Sequence, residues 1–332
     1  MDMTYIIGVD GGGTKADYIL FNTQGELIDA LHLGTRSHEC VDGGFEEVEE
    51  LMLQDMEYLL KKNHIKKHQI AAAAFGLAGI DTPAQLKEIK RIVDKMHLPK
   101  YVISNDSILG IKAGSDSGVG ICSINGTGTV ASGINEAGEI LQVGGIGMAT
   151  GDSAGGGYIA TLAIKAVYDF YFRCGDKTSI AEEIMKLFEI KETEELLNVI
   201  SEKFHNSREY DKDIVTILFH AANKGDQVAQ NIVKNTANEL AKSVSGCIRQ
   251  LKFTHIPEVI LAGSIWTKAS CPLLMECFKT YIYEYTGFMV NPKPLQVIPA
   301  AGAIIWAMEI VHNRPLTLEE RNVILHSIQV LS

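Results

Sequence analysis

The sequence predicts a two-lobed α/β protein whose halves face each other across a cleft, and three observations carry that expectation. The chain has 332 residues, enough for two domains of ordinary size that each bury their own core. A meander of three short β-like runs, followed by alternating strands and helices, occurs twice. Each copy also carries a glycine-rich tip between its first two strands.

The first copy opens with Tyr5–Val9, Asp17–Phe21 and Leu27–Leu33, the last two joined by Asn22-Thr23-Gln24-Gly25, which reads as a hairpin turn. A polar, periodic stretch predicts a helix over Phe45–Lys62; a strand at Ile70–Leu77, a helix at Pro83–Met96 and a strand at Tyr101–Ser104 follow. The second copy repeats the order with Gly118–Ile124, Thr129–Ile134 and Ile140–Val143, and Asn135-Glu136-Ala137-Gly138 holds the hairpin position. Helices are then expected from about Gly156 to Phe172, through a charged stretch ending at Ala222, and over Val228–Leu251. The strand Val259–Leu261, another helix and Ala300–Val311 close the copy. Lobes are therefore expected at 1–115 and 116–332, the second enlarged by extra helices, with the last helix free to pack back on the first lobe. Ligands in such architectures gather between the lobes.

Composition narrows the function. Hydrophobic residues make up 46% and charged residues 21% of the chain, the balance of a globular protein. A net charge of -11 repels phosphate backbones, so no nucleic-acid partner is expected and any anionic ligand needs local donors. The N-terminus shows no basic leader or small-residue cleavage site, and no apolar run has spanning length; a cytoplasmic protein without a membrane partner is expected. The six cysteines are scattered without a C-x-x-C pair, which argues against zinc and iron-sulfur centres.

The chemistry concentrates in three patches. Asp10-Gly11-Gly12-Gly13-Thr14-Lys15 runs into a β-like segment rather than a helix and lacks G-x-x-x-x-G-K-[ST], so neither a P-loop nor a dinucleotide turn fits. What remains is a hairpin tip where Gly12 and Gly13 let backbone amides approach an anion and Thr14 and Lys15 add donors. An ordinary tight turn is the plainer alternative. Asn125-Gly126-Thr127-Gly128-Thr129 is the matching tip of the second copy, and two facing tips can grip one phosphate chain. Asp10, at a strand end, suits a Mg²⁺ ion held through water, or merely a turn.

With these patches the chain resembles the superfamily of actin, sugar kinases and heat-shock chaperones, and within it the BadF/BadG/BcrA/BcrD ATPase family that contains N-acetylglucosamine kinase. Val9–Lys15 resembles the first phosphate motif, Phe75–Gly79 the first connecting motif and Ile124–Thr129 the second phosphate motif. Val259–Ser264, with Gly263 and Ser264, resembles the adenosine motif, and Ala300–Ala303 the second connecting motif. The resemblance implies two ribonuclease H-like (actin-like ATPase) domains, ATP and Mg²⁺ as cofactors, a small sugar as substrate and a homodimer.

It also implies site residues. Asn105-Asp106 fits the aspartate that takes a proton from the sugar hydroxyl, although Asp106 also suits a helix N-cap. Gly144–Ser153 resembles the sugar-binding loop, which makes Gly145, Ile146 and Asp152 substrate contacts; Thr129, Ser37 and His38 join them. Ile146 stands where the animal enzyme's pattern has tryptophan, Asp152-Ser153-Ala154-Gly155 replaces a D-E-G-S-like run, and Ser37 replaces an asparagine. The shorter Ser37 leaves Arg36 as an alternative contact, suited to an acidic substituent such as a lactyl group. The expected activity is phosphorylation of an amino sugar. The alternatives are an energising ATPase for acyl-CoA dehydratases or reductases, for which suitably spaced cysteines are missing, and a non-enzymatic actin-like or regulatory protein.

Overall fold

The computed structural model describes residues 3–204 and 207–331. Strands β1 (Tyr5–Gly11), β2 (Lys15–Asn22) and β3 (Leu27–Gly34) form the first meander. They are followed by α1 (Gly44–Lys62), β4 (Ile70–Leu77), α2 (Pro83–Asp94), β5 (Tyr101–Ser104) and α3 (Ser107–Gly114). The second meander is β6 (Gly120–Asn125), β7 (Thr129–Ile134) and β8 (Ile140–Gly144). Helices α4 (Gly156–Phe172), α5 (Ile180–Leu187), α6 (Leu196–Val199), α7 (Asp211–Asn223) and α8 (Gln227–Leu251) come next. The chain ends with β9 (Val259–Ala262), α9 (Ser264–Lys268), α10 (Pro272–Thr286), β10 (Lys293–Pro294), α11 (Ala300–His312) and α12 (Leu318–Ile328).

The two sheets have the orders β3-β2-β1-β4-β5 and β10-β9-β6-β7-β8, the ribonuclease H-like arrangement in both. In each, the meander is antiparallel and the later strands add in parallel on the other side of its first strand. Even the hairpin chemistry is repeated. Asn22 Oδ1 accepts from the amides of Gln24 and Glu26, and Asn135 Oδ1 accepts from those of Ala137 and Glu139. Short polar side chains that bond their own turn fix it without help from tertiary contacts.

Local signals explain most element boundaries. Val48, Met52, Met56 and Leu59 fall on one face of α1 and are buried. Thr82 caps α2 in a capping box with Gln85, and Pro83 occupies its first turn. The interior strand β4 is an almost unbroken apolar run because helices cover it on both faces. No sequence signal marks β10, which has two residues, one of them a proline.

The first sheet takes one cover from the far end of the chain. On one side α1 and α2 pack over Ile7, Val9, Phe75 and Leu77. On the other, α11 lies on β1 and β4 and shares a core with Ile6, Ile19 and Phe21, to which Ile324 and Ile328 of α12 contribute. Arg321 fastens α12: it is 1% exposed and donates from Nη1 to Glu309 Oε1 at 3.3 Å and from Nη2 to the carbonyls of Ser115, at 2.8 Å, and Lys112. Lys112 Nζ donates to Glu309 Oε2 at 2.7 Å, so α3, α11 and α12 share one buried ionic knot. Helices α3 and α11, which link the sheets, cross so closely that a Cβ at Gly302 would be driven into the backbone of Leu109.

Candidate active site

The parallel register sets the floor of the cleft. Asp10 of β1 lies level with Gly76 of β4, which lies level with Ser104 of β5, so Asp10 and the Asn105-Asp106 pair emerge at the same end of the first sheet. That end of a parallel sheet is where ligands bind in open α/β folds. Asp10 is also the cross-strand neighbour of Asp17. Burial first, then the charges of Asp106 and Asp17, push the Asp10 carboxyl up to about 7, with Lys15 opposing.

At the first tip, Gly13 and Thr14 are exposed, and Gly12 closes the turn by donating to the Lys15 carbonyl at 2.8 Å. Thr35 Oγ1 donates to the Gly12 carbonyl at 2.9 Å and accepts from the Ser37 amide at 3.0 Å, tying the tip to the next loop. Lys15 turns along its strand to Asp17, at 2.7 Å, instead of over the tip; His32 Nδ1 lies 2.7 Å from the other Asp17 oxygen. The period-2 alternation of a strand places Lys15 and Asp17 on one face.

Asp106 occupies the cap position of α3 but makes no capping hydrogen bond, which corrects the N-cap alternative. Asn105 does that work, its Oδ1 accepting from the Ser107 amide at 3.0 Å and the Ser107 hydroxyl at 2.6 Å. Asn105, expected among the substrate contacts, is only 5% exposed and is engaged in this support. Burial, reinforced by Asp81, pushes the Asp106 carboxyl up to about 6, while amides at the helix start pull it down.

The sugar-loop residues are placed together, with one change of emphasis. Asp152 folds the loop: its oxygens accept from the amides of Gly145 at 2.8 Å and Gly147 at 2.6 Å. Ile146 is 58% exposed, so no broad ring closes the loop there. Thr129 is directed inward, its hydroxyl donating to the Ile124 carbonyl at 2.9 Å. Across the cleft, Ser37 is buried and His38 stacks on Phe45 with ring centroids 3.9 Å apart. Gly79, at φ +82°, packs against both; a Cβ there would lie 2.9 Å from the His38 ring. Arg36 is corrected outright: it is 7% exposed, forms a bidentate pair with Asp55 of α1, and donates to the carbonyls of Gly34 and Thr35. It is a buried brace, neither solvated nor open to the cleft.

The second tip stands among helix ends. The Gly156 amide donates to the Gly126 carbonyl at 2.8 Å, and a Cβ on Gly126 would lie 3.9 Å from the Ser264 amide and 4.0 Å from Gly263, at the start of α9. The N-terminus of the 17-residue α4 thus backs the tip, a geometry that favours anions. Thr127 and Gly128 are exposed. They border a cavity of about 900 Å³ that reaches the sugar loop at Gly147, Met148 and Asp152. A second cavity of about 380 Å³ adjoins it and runs from Gly126 and Thr127 to Ser264 and Lys268. Arg208 and Asp211 line both, and neither was singled out by sequence, because nothing local separates them from a charged helical surface. Asp81 was missed as well. It stands beside Asn105 and Gln142, bonded to both.

The chain is 28% identical over 267 residues to an N-acetylmuramic acid/N-acetylglucosamine kinase of Clostridium acetobutylicum, covering 79% of this chain and 86% of that protein. It is 23% identical over 280 residues to an N-acetyl-D-glucosamine kinase of Dictyostelium discoideum, covering 81% and 88%. A crystal structure of a candidate N-acetylglucosamine kinase from Chromobacterium violaceum superposes with a TM-score of 0.61 at 16% identity, over 91% of this chain and 98% of that one, a likeness of fold. Residues 7–307 match the profile of the BadF/BadG/BcrA/BcrD ATPase family, and the chain belongs to that family.

Proposed function

We propose that this protein transfers the γ-phosphoryl group of ATP to a hydroxyl of an amino sugar of the N-acetylglucosamine, glucosamine or muramic acid class. The observation that carries the reading is Asp106: a carboxylate at the C-terminal end of the first sheet that the helix behind it does not use as a cap. The family is one of ATPases, and the two curated relatives are kinases of N-acetylated amino sugars.

In this reading ATP lies along the 380 Å³ cavity with its phosphates between the two tips, and the sugar lies against the Gly144–Asp152 loop. Asp106 accepts the proton of the attacking hydroxyl, in line with the phosphoryl group. Asp10 suits Mg²⁺ held through water, because burial first, then the charges of Asp106 and Asp17, disfavour its ionised form, and a cation beside it would offset them. The ion's contribution is to neutralise charge on the phosphates. Among the described residues no three His, Cys, Asp or Glu side chains are grouped as a metal site.

The test is ADP release coupled to sugar phosphate formation over a panel of amino and neutral hexoses, repeated with Asp106→Asn. Loss of about 10²–10⁴-fold in transfer with ATP binding retained is expected. Because a base must be ionised, kcat/KM for the sugar should fall as pH drops through about 6. ADP release that no sugar stimulates would remove the kinase reading in favour of an energising ATPase, and full activity in the variant would remove Asp106 as base.

A further inference from the structure

We propose that Asp81 is a positioning residue that latches the sugar loop of the second lobe onto the first, so that one cross-lobe carboxylate shapes the wall of the cleft beside Asp106. The identity of the ligand rests on the sugar-kinase reading; the latch itself does not.

Asp81 follows β4 and the glycine turn at Gly79, just before Thr82 starts α2. Its Oδ1 accepts from Gln142 Nε2 of β8, in the opposite lobe, at 2.6 Å, and from Asn105 Nδ2 at 3.2 Å. Gln142 also donates to the Gly144 carbonyl at 3.3 Å, so the pair holds the root of the loop that Asp152 folds. From Asn105 the contacts continue through Ser107, whose hydroxyl lies 2.6 Å from that of Ser132 on β7. Two bridges between the lobes, Asp81–Gln142 and Ser107–Ser132, therefore share Asn105 next to the candidate base.

Gly145 shows how tightly the loop is pressed on this pair. A Cβ there would lie 2.8 Å from Asp81 Oδ1 and 2.7 Å from Gln142 Nε2, and its φ is +99°. The site is acidic: burial first, then the charges of Glu39 and Asp152, raise the Asp81 carboxyl, while the Gln142 hydrogen bond and His38 oppose them. A carboxylate kept half-buried among other acids, where an amide would satisfy the same two donors, implies that its charge has a use. One follows from position: Asp81 is bonded to Asn105, the chain neighbour of Asp106, and, after burial as the larger cause, its charge helps to raise the Asp106 carboxyl, which Asp10 also faces. The residue would thus position the loop and poise the base.

The test uses Asp81→Asn, Asp81→Ala, Gln142→Ala and the Asp81→Ala/Gln142→Ala double variant. Hydrogen exchange in the ligand-free protein reads the latch directly. Amides 144–152 should exchange faster in either alanine variant, no faster still in the double variant, and at the wild-type rate in Asp81→Asn, which keeps an acceptor for both donors. Steady-state kinetics should show KM for the sugar raised about 10–100-fold in the alanine variants with KM for ATP unchanged. The acid limb of kcat/KM should move to lower pH in both Asp81 variants but not in Gln142→Ala. Unchanged loop exchange in Gln142→Ala, or additive losses in the double variant, would overturn the latch; an unmoved acid limb in Asp81→Asn would overturn the poising role. A wild-type protein that phosphorylates no sugar would overturn the kinase reading, while loop exchange, which needs no substrate, would still decide for or against the latch.

Discussion

The two glycine tips occupy equivalent positions in the two lobes, yet Gly11–Thr14 stands on carboxylates and Gly126–Gly128 stands on helix ends. Behind the first are Asp10 and Asp17, with Lys15 already paired to Asp17. Behind the second are the N-termini of α4 and α9. A phosphate chain held between them would meet aligned amide dipoles on one side and acids on the other, where only a cation makes the contact favourable. The duplication supplies the geometry, and divergence of the surroundings divides the labour.

That contrast can be broken most forcefully at the root of the second tip. Gly263 has φ +91° and a Cβ there would be driven into the backbone of Asn125, so Gly263→Ala should distort the tip. We expect a fall of about 10²-fold in ATP affinity, or loss of folding, read by nucleotide titration and thermal melting. Wild-type behaviour in both would mean that the helix-backed tip does not hold the nucleotide.

On the acidic side, Asp10→Asn should weaken Mg²⁺ affinity by about 10–100-fold while strengthening metal-free nucleotide binding, because one of the acids facing the phosphates is gone. Stability should move the other way. With its folded-state carboxyl up at about 7, ionised Asp10 costs the native state stability as pH rises above the usual carboxylate range, and the full cost is reached above about 7. The variant should therefore melt higher than wild type at pH 8 and no differently at pH 4. Equal melting at pH 8 would show that neither burial nor the neighbouring acids disfavour ionised Asp10. The smallest effect is expected at Gly128, where a Cβ meets nothing within 4 Å. Gly128→Ala should leave Tm within about 1 °C and disturb only the bound nucleotide; a large loss of stability would put the tip under a constraint that its surroundings do not reveal.

Much of this architecture was legible in the sequence because its signals are local. The Asn-x-x-Gly hairpins, the Thr82 capping box and the apolar run of β4 each specify their own conformation. The glycine tips were legible for the same reason. The features that were not legible depend on partners distant in the chain. Arg36 lies 19 residues from Asp55, and its role as a brace is decided by α1 sharing one core with Tyr18, Leu20 and Leu31 of β2 and β3. Asp81 meets Gln142 across 61 residues of sequence, and beside a capping box it reads as an ordinary helix-start acid. Asp106 shows an intermediate case. Its place at a strand end was evident, but the choice between cap and base turned on Asn105, whose side chain takes the capping bonds.

The cover that α11 and α12 give the first sheet has a consequence for how the chain is made. Ile6, Ile19 and Phe21 leave the ribosome well before the residues that shelter them, which reach as far as Ile328. The second sheet and its helices can complete their own core while the first lobe still shows an aliphatic face. The usual order, with the N-terminal unit finishing first, is thus reversed. A nascent chain cut short before α11 would carry a finished second lobe and an unfinished first one, a substrate for chaperones or proteases rather than a smaller enzyme.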